Sequence, residues 1–595
     1  MPNLRAAAAS VSLGDENLEA LGNGELLFPE GHEGHFRVSA VLIEADETVG
    51  VVSCDALTIP AGIVGRVGAR FAEQTHVPAD SLLCTATHTH HGPGTIDTLG
   101  LRSSPEFLQR LEQAASLALD GAWRQLRDPK APPNRCQAEL LFACVQEATV
   151  GRNSRLLLQD GQIGWHGYQE ADVVRPTGPY DPDLLVLTLR AMDGRTIATL
   201  FNHSVHNIGA LQPGRYSPGF YGLAAQEIER RHGGVCLFLP GAIGSTHNVT
   251  CEGSGLPGPE LVHRMVAAVE EALARAEPAL IGPVAALQRP FTCRVRSFDE
   301  AAEAQAVQRY FARYATADAG PQEAVFAAER VALASHAGEE RQVPLQVLRL
   351  GQVALVGIPG EMYARLGLAI RRGSPVRHTF VVGLANDDFG YIPDAEGYDL
   401  GGYQAWAHRH CPAERGSGEA MVAQSLAMLE EVAGLPPIVT PPVLRDLATD
   451  DAPALQAFYN RTSTAVRWLF CPLGWNASLD ACQGICDQVG TGNRYDVVLD
   501  TGREIVGWAF VSALDTPRAY LGIGITDRYC NQGLGKPLMQ AVMDKCRALG
   551  QEAVELIVIQ DNPRAQKLYE RFGFVRTGEF ESNTGQAFYR MVAEL

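Results

Sequence analysis

The chain has 595 residues, 46% of them hydrophobic and 20% charged, with 60 Gly and 35 Pro; it is too long for one core, and its composition excludes wholesale disorder, collagen and coiled coil. Lys and Arg number 49 against 68 Asp and Glu, a formal charge of -19, which disfavours a nucleic-acid or membrane partner and leaves small-molecule chemistry. The first residues, MPNLRAAAASVSLGDENLEALG, contain no apolar signal-peptide core, no stretch reaches the ~18 apolar residues of a spanning helix, and 13 scattered Cys form no disulfide frame. A cytoplasmic location is expected, with oligomeric state open, a homo-oligomer included.

In chain order, SAVLIEA, VGVVSCDAL, SLLCTATHTH, LLVLTLRA, TIATLFNHSV, VCLFLPG, VALVGIPG and TFVVGL read as strands, being β-branched or nearly continuously apolar. EFLQRLEQAASLALDGAWRQL and the Ala-rich stretch 299–336 read as helices. Continuous apolar strands with helices between them predict an α/β domain around a sheet buried on both faces, mixed in direction. GEAMVAQSLAMLEEVAG predicts a helix ended by Gly434. Four prolines within Gly434–Pro442 then make a stiff connector. The predicted division is 1–435, a linker at 436–442, and a smaller α/β domain at 443–595.

The densest chemistry in the larger part is Thr87-His88-Thr89-His90-His91-Gly92-Pro93-Gly94. In a strand, alternate side chains share a face, so His88 and His90 are expected to point the same way at its rim. Further strand ends deliver Asn202-His203-Ser204-Val205-His206-Asn207, Glu361 at the first turn of a following helix, and Asp387, Asp388 and Tyr391. Imidazoles and a carboxylate from separate strand ends are what a catalytic zinc site needs, although none of these spacings is a local metal motif. Asp55, at another strand tip, is read equally as support for that site or as a turn cap. His408-Arg409-His410-Cys411, a dense cluster near the predicted site, reads as a solvated loop in preference to a pocket lining, and Cys482 and Cys486 as ordinary thiols in preference to a metal or redox pair.

T-H-T-H-H-G-P-G, F-N-H-S-V-H-N, Y-S-P-G-F-Y-G, F-L-P-G-A-I-G, G-I-P-G-E-M and G-L-A-N-D-D-F-G-Y-I, in that order across most of residues 35–430, resemble the catalytic domain of neutral/alkaline (non-lysosomal) ceramidases. The resemblance implies a zinc-dependent amidase with an α/β catalytic domain. It implies His88, His206, Glu361 and Tyr391 as zinc ligands, and His90 and Tyr403 as holders of the substrate carbonyl. The family arginine falls on Arg152 or Arg155. Departures are Gly241 where a serine is usual, His91 also in place of a serine, and Ser245 and His247 in place of Asp and Asn. These point away from ceramide and toward a small polar amide.

After the linker, AYLGIGITDRYCNQGLGKPLMQAVMDKCRALG runs from a strand through Gln532-Gly533-Leu534-Gly535-Lys536 into a helix. Glycines that bring backbone N–H groups to a helix N-terminus make a pyrophosphate cradle. EAVELIVI, Asn562 and PRAQKLYERFGF follow. This order resembles the GNAT acyltransferases over about 440–595. It implies acetyl-CoA as co-substrate, the 532–536 loop on its pyrophosphate, backbone near Ile523 and Ile525 on the pantetheine arm, Asn562 beside the cofactor, and Tyr569 as the acid that protonates the departing thiolate. Cys530 departs from the usual Arg or Gln. Glu504 and Asp515 stand as candidate bases.

The expected protein is thus a large ceramidase-like α/β domain with a mixed sheet followed by a smaller GNAT-fold α/β domain. The expected function is bifunctional: zinc-dependent hydrolysis of a small polar amide and acetyl-CoA-dependent N-acetylation of an amine, as sequential steps in specialised metabolism. The alternative is an acetyltransferase carrying an inactive ceramidase-like scaffold.

Overall fold

The computed structural model describes residues 4–14, 20–22, 25–27, 31–130, 135–208, 215–249, 258–279, 282–314, 319–435, 441–462, 464–474, 476–530, 532–582 and 585–595. The chain folds as two compact units, Met1–Ala433 and Gly434–Leu595; most of the proline-rich connector, 436–440, lies outside the described residues. No helix among those described is long and apolar enough to cross a membrane.

In the larger unit most strands are distributed over three mixed sheets rather than one, with further two-stranded ladders beside them, because so many strands in one twisted sheet would splay it open. The first orders Arg5–Ser12, Arg37–Glu44, Thr48–Cys54 and Leu82–Ala86. The second orders Val235–Pro240, Thr196–His203, Asp183–Ala191, Ala138–Gln146 and Glu277–Pro278. The third orders Val284–Arg294, Glu340–Leu350, Val353–Gly357 and His378–Val382.

Each sheet contains one parallel pair: Thr48–Cys54 with Leu82–Ala86, Thr196–His203 with Val235–Pro240, and Val353–Gly357 with His378–Val382. A parallel pair requires a crossover, and each encloses one helix: Ala61–Thr75, Gly219–His232 and Ala364–Gly373 respectively. The unit therefore carries three βαβ modules. In open α/β sheets, ligand sites form beyond the carboxyl ends of such strands.

The apolar runs are buried on both faces as their composition predicts. Val41, Val51 and Leu83 of the first sheet share a core with Leu187 and Leu237 of the second and Leu355 and Phe380 of the third. The opposite face of the first sheet packs on Ala61–Thr75 and Pro105–Arg127 through Phe71, Phe107, Leu111 and Leu119. Ser104 caps the latter helix by accepting from the Phe107 N–H, with Pro105 at its first position. The Ala-rich stretch forms two helices, Glu300–Tyr314 and Ala319–Ala334.

The smaller unit is one seven-stranded sheet ordered Val443–Asp446, Arg494–Asp500, Ile505–Ser512, Arg518–Ile525, Ala553–Ile559, Ala587–Glu594 and Val575–Glu581. Its central pair, Arg518–Ile525 and Ala553–Ile559, is parallel and joined only from Arg518 to Tyr520. Beyond Tyr520 the two strands part, while each keeps its outer neighbour. A notch opens there, bordered by strand backbone.

Candidate functional site

Residues from all three βαβ modules converge. After Leu82–Ala86 the chain leaves the sheet, and His88 adopts a left-handed conformation (φ 59°). That backbone is costly for a side chain larger than glycine and concentrates at functional sites. His88 and His90 do meet, with Nε2 atoms 3.2 Å apart, but through this turn rather than through strand alternation. Glu361 likewise is not in a helical turn. Glu361–Met362 is a two-residue strand paired in parallel with Tyr391–Ile392, so Glu361 and Tyr391 are direct register partners; the helix starts only at Ala364. Gly390 (φ 79°) lets the His410 segment come close on the other side, since a Cβ there would lie 2.2 Å from the His410 carbonyl oxygen.

At the centre, His88 Nε2 lies 2.9 Å from His206 Nε2, and Glu361 Oε2 lies 3.7 and 3.6 Å from them. The Nδ1 atoms face backbone carbonyls, His88 toward Leu57 O at 2.9 Å and His206 toward Ile243 O at 3.3 Å. Both Nδ1 atoms are therefore assigned as donors, which leaves both Nε2 atoms as lone pairs aimed at one another. Burial opposes protonation of either ring and pushes His88 down to about 4. Two apposed lone pairs and a buried Glu361 Oε2 without a hydrogen-bond partner are arranged as a set that could hold a cation. This donor set, N/O with carbonyls fixing each imidazole from behind, fits zinc. His88, His90 and His206 all have ring nitrogens within 4.8 Å of one another, and only His90 is partly exposed.

Two histidines outside the expected ligand and carbonyl-holding set complete the site. His410 is buried, a correction to the solvated-loop expectation, and its Nε2 lies 2.8 Å from Glu361 Oε1. Burial alone would lower this imidazole, but Asp388 and Glu361 raise it to about 9. Glu361 in turn, despite desolvation, is held at about 2 by His88 and His410. One Glu361 oxygen is thereby engaged and the other directed at the two imidazoles. His408, also buried, faces the Tyr403 carbonyl oxygen through Nε2 at 2.8 Å, while Arg409 pairs with Glu329. The other is His247, its ring 5.0 Å from that of His206 and its Nε2 3.2 Å from the Tyr403 hydroxyl. Trp165 stacks on Tyr403 at 4.7 Å, and Tyr391 is hydrogen-bonded to Tyr403.

The two arginines separate clearly. Arg155 is buried, and its guanidinium donates to Gly397 O, Gly401 O and Gln404 Oε1 at 3.1, 2.6 and 3.1 Å. It fastens the segment that carries Tyr403. Arg152 instead acts electrostatically on His247. Ser245 receives the Ala364 N–H at 3.0 Å and so caps the helix after Glu361.

Asp55 is buried at the tip of Thr48–Cys54 and accepts from the Arg37 N–H at 3.2 Å. Burial pushes its carboxyl up to about 7, against the pull of Arg37. Its folded value lies above the unfolded one, so its contribution is fully present below about pH 4 and is lost as pH rises through 7. Asp55→Asn should therefore raise the thermal midpoint relative to the parent between pH 5 and 8, with the gap closing toward about pH 4. Parallel midpoint–pH curves would contradict this.

In the smaller unit a cavity of about 990 Å³ occupies the notch. Ile523, Ile525, Gly533, Leu534, Gly535, Lys536, Asn562 and Tyr569 line it; Gln532, expected among them, does not. Gly533 is left-handed (φ 78°) and the helix Gly535–Ala548 starts just after it, so backbone N–H groups and the dipole end face the cavity mouth. Asn562 caps the helix Pro563–Glu570 by accepting from the Ala565 N–H at 3.2 Å, and that helix carries Tyr569 on its buried side. Neither Glu504 nor Asp515 lines the cavity. Cys482 and Cys486 are buried thiols in the core with Trp508.

Residues 464–574 match the sequence profile described as the acetyltransferase (GNAT) family. The smaller unit contains a GNAT domain. The chain is similar in structure to the neutral ceramidase of Pseudomonas aeruginosa, with 18% identity, TM-score 0.55, and coverage of 73% of this chain and 75% of that one. It is similar to a ceramidase complexed with C2, with 18% identity, TM-score 0.57 and coverage of 73% and 76%. An acetyltransferase of the GNAT family from Streptococcus pneumoniae is 25% identical over 26% of this chain and 98% of its own, with TM-score 0.24. No curated protein sequence matches significantly. The larger unit has a ceramidase-like fold.

Within that ceramidase-like fold, Gly241 stands where a serine was expected. A Cβ at 241 would lie 2.3 Å from Ser204 Oγ. The Ser204 hydroxyl thus fills the space that a side chain at 241 would need.

Proposed function

We propose that the chain is a bifunctional enzyme, a zinc-dependent hydrolase of small polar amides in its larger unit and an acetyl-CoA-dependent N-acetyltransferase in its smaller one. The observation that carries the first half is the pair of buried, mutually facing imidazole lone pairs with an unpartnered carboxylate oxygen beside them. His88, His206 and Glu361 would hold the metal, with Tyr391 as the fourth ligand. When bound, zinc supplies a Lewis acid that polarises a carbonyl and lowers the pKa of water.

The remaining roles fall to the chain itself. His90, on the open side, orients the amide carbonyl together with the Tyr403 hydroxyl, which His247 and Trp165 keep in place. His410 fixes Glu361 so that one oxygen faces the imidazoles. Arg155 keeps the Tyr403 segment rigid. Donors set in advance around a developing oxyanion cost no reorganisation during the reaction. In the acetyltransferase, backbone along Leu521–Ile525 receives the amide groups of the cofactor arm, the loop Gly533–Lys536 receives its pyrophosphate, and Tyr569 gives its proton to the departing sulfur.

The test uses the purified chain of both units. Zinc near one equivalent, loss of N-acyl amide hydrolysis on chelation and recovery on zinc addition are expected. Hydrolysis at equal rate in metal-free and zinc-loaded protein would remove the hydrolase half.

A further inference from the structure

We propose that the acetyl acceptor is an aromatic amine that enters the site uncharged, an inference that rests on the acetyltransferase reading above. The strand Arg518–Ile525 has glycine at 522 and 524, on one face. A Cβ at 522 would sit 2.4 Å from the Phe510 ring, and one at 524 would sit 2.3 Å from the Phe470 ring. The two glycines thus let two aromatic rings lie directly against the strand at the notch. Phe470 meets Trp508 edge-on at 5.7 Å, and Trp508 meets Phe510 at 5.1 Å. Phe470 and, across the notch, Phe588 are partly exposed and line the cavity, while Trp508 and Phe510 are buried and hold Phe470 from behind. Flat aromatic walls of this kind favour a second ring by offset or edge contacts.

The charge of the cavity points the same way. Among the described residues that line it there is no Asp or Glu. Asp496, behind the wall, is already neutralised: it accepts two N–H groups of Arg494 at 2.7 and 2.8 Å and the Trp508 indole N–H at 2.8 Å. The Arg494 guanidinium also covers Phe510, 4.3 Å from its centroid. An alkylammonium or polyamine entering here would lose its hydration with no carboxylate to replace it, and a ring face offsets only a fraction of that loss.

Nor does the cavity lining supply a carboxylate base to remove an ammonium proton. An aromatic amine needs none, because its nitrogen lone pair is delocalised into the ring and it stays unprotonated at neutral pH. Its nitrogen attacks the thioester carbonyl carbon and the C–S bond breaks. The sulfur takes the phenolic proton of Tyr569, and the proton shed by nitrogen restores the phenol through solvent. The products are the N-aryl acetamide and free coenzyme A, with no net change in protons.

The experiment measures kcat/KM of the full chain at neutral pH for p-anisidine, phenethylamine and spermidine, with acetyl-CoA affinity measured separately by calorimetry. The expected order places p-anisidine first, about 100-fold above spermidine. Phe470→Leu should raise the KM for p-anisidine about tenfold while acetyl-CoA affinity stays within about twofold, which also reports that the domain has folded. Preference for spermidine or phenethylamine in protein that binds acetyl-CoA overturns the acceptor assignment alone. Failure to bind acetyl-CoA overturns the acetyltransferase reading and this inference with it.

Discussion

Glu361→Gln is expected to lower zinc retention and amide hydrolysis together by more than about 100-fold, the upper end of what loss of a merely supporting group costs. Gln keeps the shape and an oxygen that accepts from His410, now 2.8 Å from Glu361 Oε1. What it removes is the only negative charge among His88, His206 and Glu361. The three are buried, so a divalent ion there loses its hydration and the lost charge is not restored by solvent. The substitution also removes part of what raises the affinity of His410 for its proton, since Asp388 and Glu361 together lift it to about 9 and only Asp388 remains.

A readout independent of turnover separates the metal role from a structural one. Zinc at about a hundred times its Kd stabilises the folded state by about 2.7 kcal/mol, so the parent protein should melt a few degrees higher with zinc than without. The Glu361→Gln protein should melt at one temperature in both conditions. A variant that retains stoichiometric zinc and that zinc-dependent shift would show that the carboxylate is not a ligand, whatever happens to the rate.

Much of this architecture is legible in the sequence because it is built from βαβ modules. Runs such as VGVVSC and LLCTA are buried on both faces, so their apolar continuity survives translation into structure directly. The glycine turn ahead of the helix Gly535–Ala548 is equally legible, since Gly533 takes a left-handed backbone (φ 78°) that favours glycine. How strands are shared among sheets is not, because pairing partners far apart in sequence leave no local trace. Ala6 and Val41, for instance, find a core with Leu237 and Phe380.

Within the site, what escaped is what depends on loop conformation. His88 looks like a strand residue by its alternation with Thr87 and Thr89, yet its left-handed backbone turns it toward His206. Glu361 precedes a helical pattern, but the two-residue ladder with Tyr391–Ile392 claims it first. His410 shows the same dependence: in His408-Arg409-His410 the outer two are buried, while the exposed Arg409 reaches in to the buried Glu329. Arg155 could not be separated from Arg152 by type, because only the fold decides which guanidinium meets the carbonyls of Gly397 and Gly401.

Tyr569→Phe should reduce kcat of acetyl transfer by about 100-fold or more at neutral pH, within the range assigned to a positioned general acid, and leave acetyl-CoA affinity unchanged. The ring packs against Phe574 at 5.9 Å and lies in the core of the sheet, and Phe keeps that packing. Burial, with Tyr520 adding to it, pushes the Tyr569 phenol well above its ordinary value, so the hydroxyl holds its proton throughout the working range and is available to the sulfur. The size of the defect should itself depend on pH. A thiol titrates near ~8.5, and above that value the thiolate leaves without needing a proton, so the gap between parent and variant should narrow as pH rises. An acid that merely shaped the cavity would give a gap independent of pH, and a hydroxyl that held the cofactor would weaken its binding instead. Steady-state rates at neutral and alkaline pH, with calorimetric affinities beside them, distinguish these three outcomes in one pair of proteins.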